Sequence, residues 1–327
     1  MRLQTFFDFC SGIGGGRLGL EHCGMKCVGY SDTSRLSVTT YKLMHDTENE
    51  KNYGNIKRIK SENLPDFDLL IAGFPCQTFS VIGRKEGFCD PRGQIIFHLA
   101  RIIGEKKPKC FILENVRGLV SHNKGKSLAD IIELLKSCGY DVVYKIISSI
   151  DHGVPQMRQR VYIVGIRNDL DITIDEFEWP VKVEKPHLKD YLIDSNNEIS
   201  DDNYTRFQYY LKNPTNQGKY SAEDFLKEAF LIIDTRMSDL RLYRERVPTL
   251  RSQRDGIYYV KEGKIKELTG FEDLLLQGFP LELAMKVKDV VTNRHLLMQA
   301  GNAMTVNVIA AIGESLKVLF KEQGGIS

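Results

Sequence analysis

The first 170 residues alternate short apolar runs with amphipathic stretches. The runs at 3–9 (LQTFFDF), 27–31 (CVGYS), 67–72 (FDLLIA), 109–114 (KCFILE), 141–149 (DVVYKIISS) and 160–167 (RVYIVGIR) predict strands. Apolar positions recurring every three or four residues predict helices over 16–23, 34–45, 93–104 and 126–138. Such alternation argues for an α/β fold with a doubly wound, mostly parallel sheet. The runs lack strict period-two alternation, which suits strands covered on both faces. From about 170 to 245 charged and amide residues dominate, and NNEISDDNY and KNPTNQGKY read as loops. A helical pattern returns from Asn302 to about Phe320, through Val306, Ile309, Ile312, Leu316 and Leu319. The expected division is a larger domain from 1–180 with 301–327, and a smaller irregular one over 181–300.

Composition narrows the class. Of 327 residues, 42% are hydrophobic and 27% charged, a balance that excludes a disordered chain. No 18 apolar residues run uninterrupted, so no membrane span is expected, and MRLQTFFDFCSG reads as a buried strand rather than a signal peptide. The expected location is the cytoplasm. Seven cysteines, at 10, 23, 27, 76, 89, 110 and 138, form no CxxC pair, and no His spacing suits zinc. Reduced thiols and no metal follow. Net charge is only +2, but residues 236–254 carry six arginines against Asp239 and Glu245. That local excess is either a solvated loop or a phosphate-contacting patch.

Five motifs carry candidate chemistry. Asp8-Phe9-Cys10-Ser11-Gly12-Ile13-Gly14-Gly15-Gly16 joins a strand to a helix, where glycines let backbone N–H groups approach a ligand. Its spacing is not the dinucleotide fingerprint, and a tight turn is the bland alternative. Asp32 ends the next run, where a carboxylate can bond ribose hydroxyls. Gly73-Phe74-Pro75-Cys76-Gln77-Thr78-Phe79-Ser80 places a thiol at a strand's carboxyl end, although most cysteines simply fill a core. Glu114-Asn115-Val116 ends another strand, where a turn or a helix cap would be the ordinary role for the carboxylate. Gln156-Met157-Arg158-Gln159-Arg160 puts two arginines on one side of an extended chain. Gly301-Asn302-Ala303 opens the final helix, by default as a cap.

Taken in order, these motifs resemble those of the DNA (cytosine-5) methyltransferases. The matching strings are DFxSGIGG, GFPCQxFS, DPRGxxxF at 90–97, ENV, QMRQR, RVPTL at 246–250, LQGFP at 276–280 and GNAxxxxV. They cover roughly two thirds of the chain. Length and the GFPCQxFS form resemble the compact bacterial enzymes of restriction–modification systems.

The resemblance implies a methyltransferase that uses S-adenosylmethionine, yields S-adenosylhomocysteine, needs no metal and acts on duplex DNA beside a cognate restriction endonuclease. It implies that the Cys76 thiolate adds to C6 of a flipped-out cytosine. Glu114 then holds N3 and the exocyclic amine, and Arg160 holds O2 with Arg158 nearby. The cofactor set it implies is Asp8, Phe9, Cys10, Ser11, Gly12, Ile13, Gly14, Gly15, Asp32, Thr33, Asn55, Ile56, Pro75, Asn302 and Ala303. DNA contacts fall to Gln77, Ser80, Arg84 and Lys85 in a closing loop, and to Arg236, Arg241, Arg244, Arg251 and Arg254. Sequence choice falls to the variable region at about 169–245. The chain departs from the family pattern at Cys10, where Phe is usual, at Asp32-Thr33, where Glu-Trp is usual, and at Asn55, where Asp is usual. The adenine subsite therefore lacks its aromatic faces and a carboxylate. Three rival readings are a tRNA cytosine methyltransferase on the same fold, a DNA-binding relative without catalysis, and a nicotinamide oxidoreductase. The last fails on glycine spacing.

Overall fold

The computed structural model describes residues 2–75, 95–184, 186–195, 197–252 and 256–322. In chain order they begin with β1 (Thr5–Phe9), α1 (Gly15–His22), β2 (Lys26–Ser31), α2 (Arg35–Met44), β3 (Leu69–Gly73) and α3 (Ile95–Lys106). Next come β4 (Cys110–Val116), α4 (Gly118–Ser121), α5 (Lys126–Ser137), β5 (Tyr140–Ser148), β6 (Gln156–Met157) and β7 (Gln159–Arg167). Then follow α6 (Asp201–Leu211), α7 (Ala222–Leu226), β8 (Ile232–Asp234), β9 (Arg241–Tyr243), β10 (Val247–Pro248), β11 (Ile257–Lys261) and β12 (Lys264–Glu267). The last four are α8 (Gly270–Leu276), α9 (Leu281–Lys288), α10 (Asn293–Asn302) and α11 (Val306–Glu322). Two compact units emerge: Met1–Ser148, Gln159–Lys182 and Ala303–Ser327 form one, Ser149–Arg158 and Val183–Asn302 the other. The segment 149–158, expected in the larger domain, thus packs within the second unit.

The first unit is built on a six-stranded sheet in the order β2-β1-β3-β4-β7-β5. Only β7 runs against its neighbours. Each central strand is apolar on both faces, and its alternate residues feed two cores. Phe7, Leu70, Ala72, Phe111, Leu113 and Ile163 meet Leu99 and Ile103 of α3 and Ile131 of α5. Phe6, Leu69, Ile71, Ile112, Tyr162 and Val164 meet Leu20 of α1 and Ile309, Ile312 and Leu316 of α11. Burial on both faces is why these strands read as unbroken apolar runs. All six expected strands lie within about two residues of those observed.

The second unit has more regular structure than its composition suggests. Its sheet is antiparallel, in the order β12-β11-β8-β9, with β6 and β10 paired in parallel beside it. Ile232, Ile257 and Tyr259 face one core. Ile233, Tyr258, Val260 and Ile265 face another, which Phe207 and Leu211 of α6 close. The expected loop NNEISDDNY instead runs into α6. Ser200 caps it by accepting from the Asn203 N–H, Asp201 and Asp202 suit the helix dipole, and Phe207 and Leu211 bury one turn apart. Residues 212–220 form no helix or strand, as their composition implied. The final helix also differs from expectation: Asn302 ends α10 instead of capping α11. The apolar stretch Asn293–Lys321, long enough to cross a membrane, is α10 followed by α11, and most of its apolar window is buried.

Candidate active site

The glycine-rich segment leaves the carboxyl end of β1 in a left-handed turn. Cys10 has φ 52°, Gly12 56° and Gly14 87°. Gly15 is required by close approach, because a Cβ there would lie 2.3 Å from the Met304 carbonyl oxygen. Asp32 reaches across from β2: Oδ2 accepts from the Gly12 N–H at 2.8 Å and Oδ1 from the Ser34 N–H at 2.7 Å. It is thereby a fixed carboxylate, half-buried at the sheet edge, with lone pairs left for ligand hydroxyls.

Asp8 is fully buried, and burial holds its carboxyl well above the usual range against the pull of Arg17. The Ser11 hydroxyl is buried and finds no partner among the described residues. A turn rich in main-chain donors, an unpartnered buried hydroxyl and a held carboxylate fit a polar nucleoside ligand. Phe9 and Ile13 are fully buried, and Phe9 stacks on Phe7 in the core. Thr33 is exposed, Ile56 is buried, and the Asn55 side chain accepts from the Lys57 N–H at 3.0 Å. Ala303 is buried in the first unit, whereas Asn302 is exposed at the end of α10.

Strand register builds the charged centre. Val116 lies opposite Arg160 in the antiparallel β4–β7 pair, so Glu114, two residues back, shares its face. The outcome is an ion pair of 3.0 Å between Arg160 Nε and Glu114 Oε1, with the side chains 13% and 10% exposed. Gly73, at the end of β3, lies opposite Glu114 in the next ladder. Asn115, 2% exposed, donates its amide to the Phe74 carbonyl at 2.9 Å and accepts from the Val116 N–H. It therefore fixes the chain immediately before Pro75, which is exposed. Sequence reasoning singled out the carboxylate of Glu-Asn-Val and missed the amide, although the tripeptide itself was the signal.

Cys76, Gln77, Ser80, Arg84, Lys85 and Arg254 lie outside the described residues. Of the described cysteines, burial pushes the thiols of Cys10, Cys23 and Cys27 up to about 12 and also raises Cys110 and Cys138. None of these five is poised as a thiolate.

Arg158 does not join Arg160 as the sequence spacing suggested. It is 3% exposed within the second unit and donates to the Leu250 and Gly301 carbonyls at 3.0 and 3.1 Å. β6 and β7 are separate strands of different sheets, so the assumption of one continuous strand fails. The arginine run also divides. Arg236 is buried in an ion pair of 2.7 Å with Asp234 and takes no part in a solvated patch. Arg244 pairs with Glu228 at 2.5 Å, while Arg241 and Arg251 are exposed. Gln156, fully buried, is a further residue whose role the sequence concealed: its amide bridges the Leu276 carbonyl and the Leu250 N–H. Among the described residues no cluster of side chains suits a metal.

A mostly parallel sheet with a nucleoside-fitting turn after β1 and a buried acid–base pair across β4 and β7 defines an S-adenosylmethionine-dependent methyltransferase fold. The C-5 cytosine-specific DNA methylase family matches residues 4–318, and the chain belongs to that family. It is a DNA (cytosine-5) methyltransferase. The chain is 34% identical to the Type II methyltransferase M.BsuFI of Bacillus subtilis, over 96% of its own length and 72% of that protein's. It is 33% identical to the Type II methyltransferase M.NgoBI of Neisseria gonorrhoeae, over 96% and 93%. A prophage-encoded DNA modification methyltransferase (E. coli) superposes with a TM-score of 0.69 at 21% identity, covering 97% of this chain and 99% of that one. The S. pombe Dnmt2 methyltransferase superposes at 0.67 and 20%, covering 98% and 99%.

Proposed function

We propose that this enzyme methylates C5 of a flipped-out cytosine through a covalent Cys76–C6 adduct, as the protecting partner of a restriction endonuclease in the cytoplasm. The observation that carries the reading is the Glu114–Arg160 pair, buried at the ends of β4 and β7 beside the Phe74–Pro75 lead into Cys76. S-adenosylmethionine, when bound, supplies the methyl group as an electrophile. The residues around the 11–15 turn fit its amino-acid end, and Asp32 fits its ribose.

C5 becomes nucleophilic only after a group adds to C6, and Cys76 supplies that group. Glu114, hydrogen-bonded at N3 and the exocyclic amine, stabilises the protonated ring as the thiolate adds. Arg160 orients Glu114 through their ion pair, and its cation favours the Cys76 thiolate. Once C5 carries the methyl group, a base takes the C5 proton, the C5–C6 double bond re-forms, and the C6–S bond breaks to release Cys76 as the thiolate. Extrusion of the base costs a few kcal/mol, which duplex contacts from the second unit offset.

Tritiated methyl transfer to duplex DNA by wild type and Cys76→Ala tests the reading. Transfer should vanish in the variant while duplex binding persists. Residual transfer above about one hundredth of wild type would assign the nucleophile elsewhere.

A further inference from the structure

Beyond β10, Leu250 is buried, Arg251 is exposed and Ser252 half-buried, and buried groups grip the backbone that leads into Arg251. Gln156 Oε1 accepts from the Leu250 N–H at 3.2 Å, and Arg158 Nη1 donates to the Leu250 carbonyl at 3.0 Å. One residue earlier, the Thr249 hydroxyl donates to the Met157 carbonyl at 2.6 Å, and the Thr249 carbonyl accepts from Arg236 at 2.9 Å. Gly301 closes the remaining side. A Cβ at that position would lie 2.3 Å from the Ser252 nitrogen and 2.6 Å from the Arg251 carbonyl carbon.

Burying an amide and two guanidinium groups is costly unless they are satisfied. Here each gives one of its bonds to the backbone of Thr249 or Leu250. What that backbone presents is the Arg251 side chain, which is exposed and has no ion-pair or hydrogen-bond partner among the described residues. Arg206 of α6 and Arg294 of α10 are exposed and unpartnered in the same way. All three line one cavity of about 370 Å³ in the second unit. Its other charged members are Arg236, paired with Asp234, and the acids Glu267 and Asp273. Glu267 takes the Asn203 amide at 2.7 Å, and Asp273 is buried.

We propose that Arg251 reads a guanine of the target sequence, and that Arg206 and Arg294 hold phosphates on either side of it. The inference rests on the DNA-methylating reading above. A phosphate contact tolerates a mobile cation, but a two-pronged contact with guanine O6 and N7 needs a guanidinium on a fixed backbone. Of the three, Arg251 alone lies outside a helix, and buried side chains hold the backbone of Thr249 and Leu250 directly before it.

The test expresses wild type, Arg251→Ala, Arg251→Lys and the pair Arg206→Gln with Arg294→Gln in a host without other methyltransferases, and maps methylated sites by bisulfite sequencing. Both Arg251 variants should relax the methylated motif at one G·C position, with discrimination there falling roughly 5- to 150-fold. The double variant should keep the motif, bind every duplex more weakly, and flatten the slope of log K against log salt by about one for each lost contact. An unchanged motif in Arg251→Ala, with uniformly lower methylation, would overturn base reading by Arg251. Full specificity in Arg251→Lys would do the same, since a point charge would then suffice. If wild type methylates no cytosine in any duplex, the failure lies with the methyltransferase reading instead.

Discussion

Glu272 should make the second unit lose stability as pH rises from about 4.5 to about 7. It sits in the first turn of α8 and is fully buried. Its Oε1 accepts from the Tyr259 hydroxyl at 2.8 Å and the Asp194 N–H at 3.1 Å, and its Oε2 from the Thr269 N–H at 3.1 Å. Asp194 lies alongside, held by Lys288 at 2.7 Å and by the Thr269 hydroxyl at 3.0 Å. Burial pushes the Glu272 carboxyl from its ordinary 4.5 up to about 7, and the charge on Asp194 adds to the rise. The hydrogen bonds from Tyr259, Thr269 and Asp194 oppose it without reversing it.

Between these two values the folded chain keeps a proton that the unfolded chain has released. Stability from this group is therefore complete at low pH, declines from about pH 4.5 to 7 and is level above. At about 1.36 kcal/mol for each pH unit, the interval sets the loss at about 3 kcal/mol. Glu272→Gln removes the ionisation. It sets an amide N–H against the Thr269 N–H, which costs about 1–3 kcal/mol, but equally at every pH. Denaturant unfolding of wild type and variant from pH 5 to 8 is the assay. The wild-type curve should fall relative to the variant by about 2.5 kcal/mol over that range. Parallel curves would refute the argument, and so would a wild type that gains stability relative to the variant as pH rises.

Two further outcomes follow from the first unit. Asn115→Ala leaves the Phe74 carbonyl buried without its partner, so kcat for methyl transfer should drop roughly 10-fold or more while cofactor affinity holds; unchanged single-turnover rates would show that Asn115 does not position the Cys76 segment. Thr33→Trp combined with Asn55→Asp should tighten S-adenosylmethionine binding roughly 10- to 100-fold by titration calorimetry, through one stacking face and one charged hydrogen bond. Cys10 is left in place because its φ of 52° strains a bulky side chain, and a double variant that folds but binds no tighter would mean the subsite is already filled by other groups.

Much of the first unit was legible in the sequence because its signals are local. Strands such as Leu69–Gly73 and Cys110–Val116 are buried on both faces, so each appears as an apolar run whatever it packs against. The turn after β1 declares itself through glycines whose conformation few other residues adopt. Glu114 and Arg160 could be named from their motifs, but only the antiparallel register of β4 and β7 makes them a pair. Nothing local distinguishes Arg158 from Arg160, since both are arginines two residues apart. The break between β6 and β7 leaves one to bind backbone carbonyls and the other to pair with Glu114. The arginine run shows the same limit. Whether a guanidinium is buried against Asp234, paired with Glu228 or left open beside Arg206 and Arg294 depends on partners up to about 45 residues away in sequence. The second unit hid most of its order because its strands are short, and its helices are marked by caps such as Ser200 and Thr269 rather than by long apolar faces. Sequence alone determined the first unit's strands and the residue types available for chemistry. Tertiary structure decided which of them meet, because ion pairs and hydrogen bonds depend on distances that only the folded sheets set.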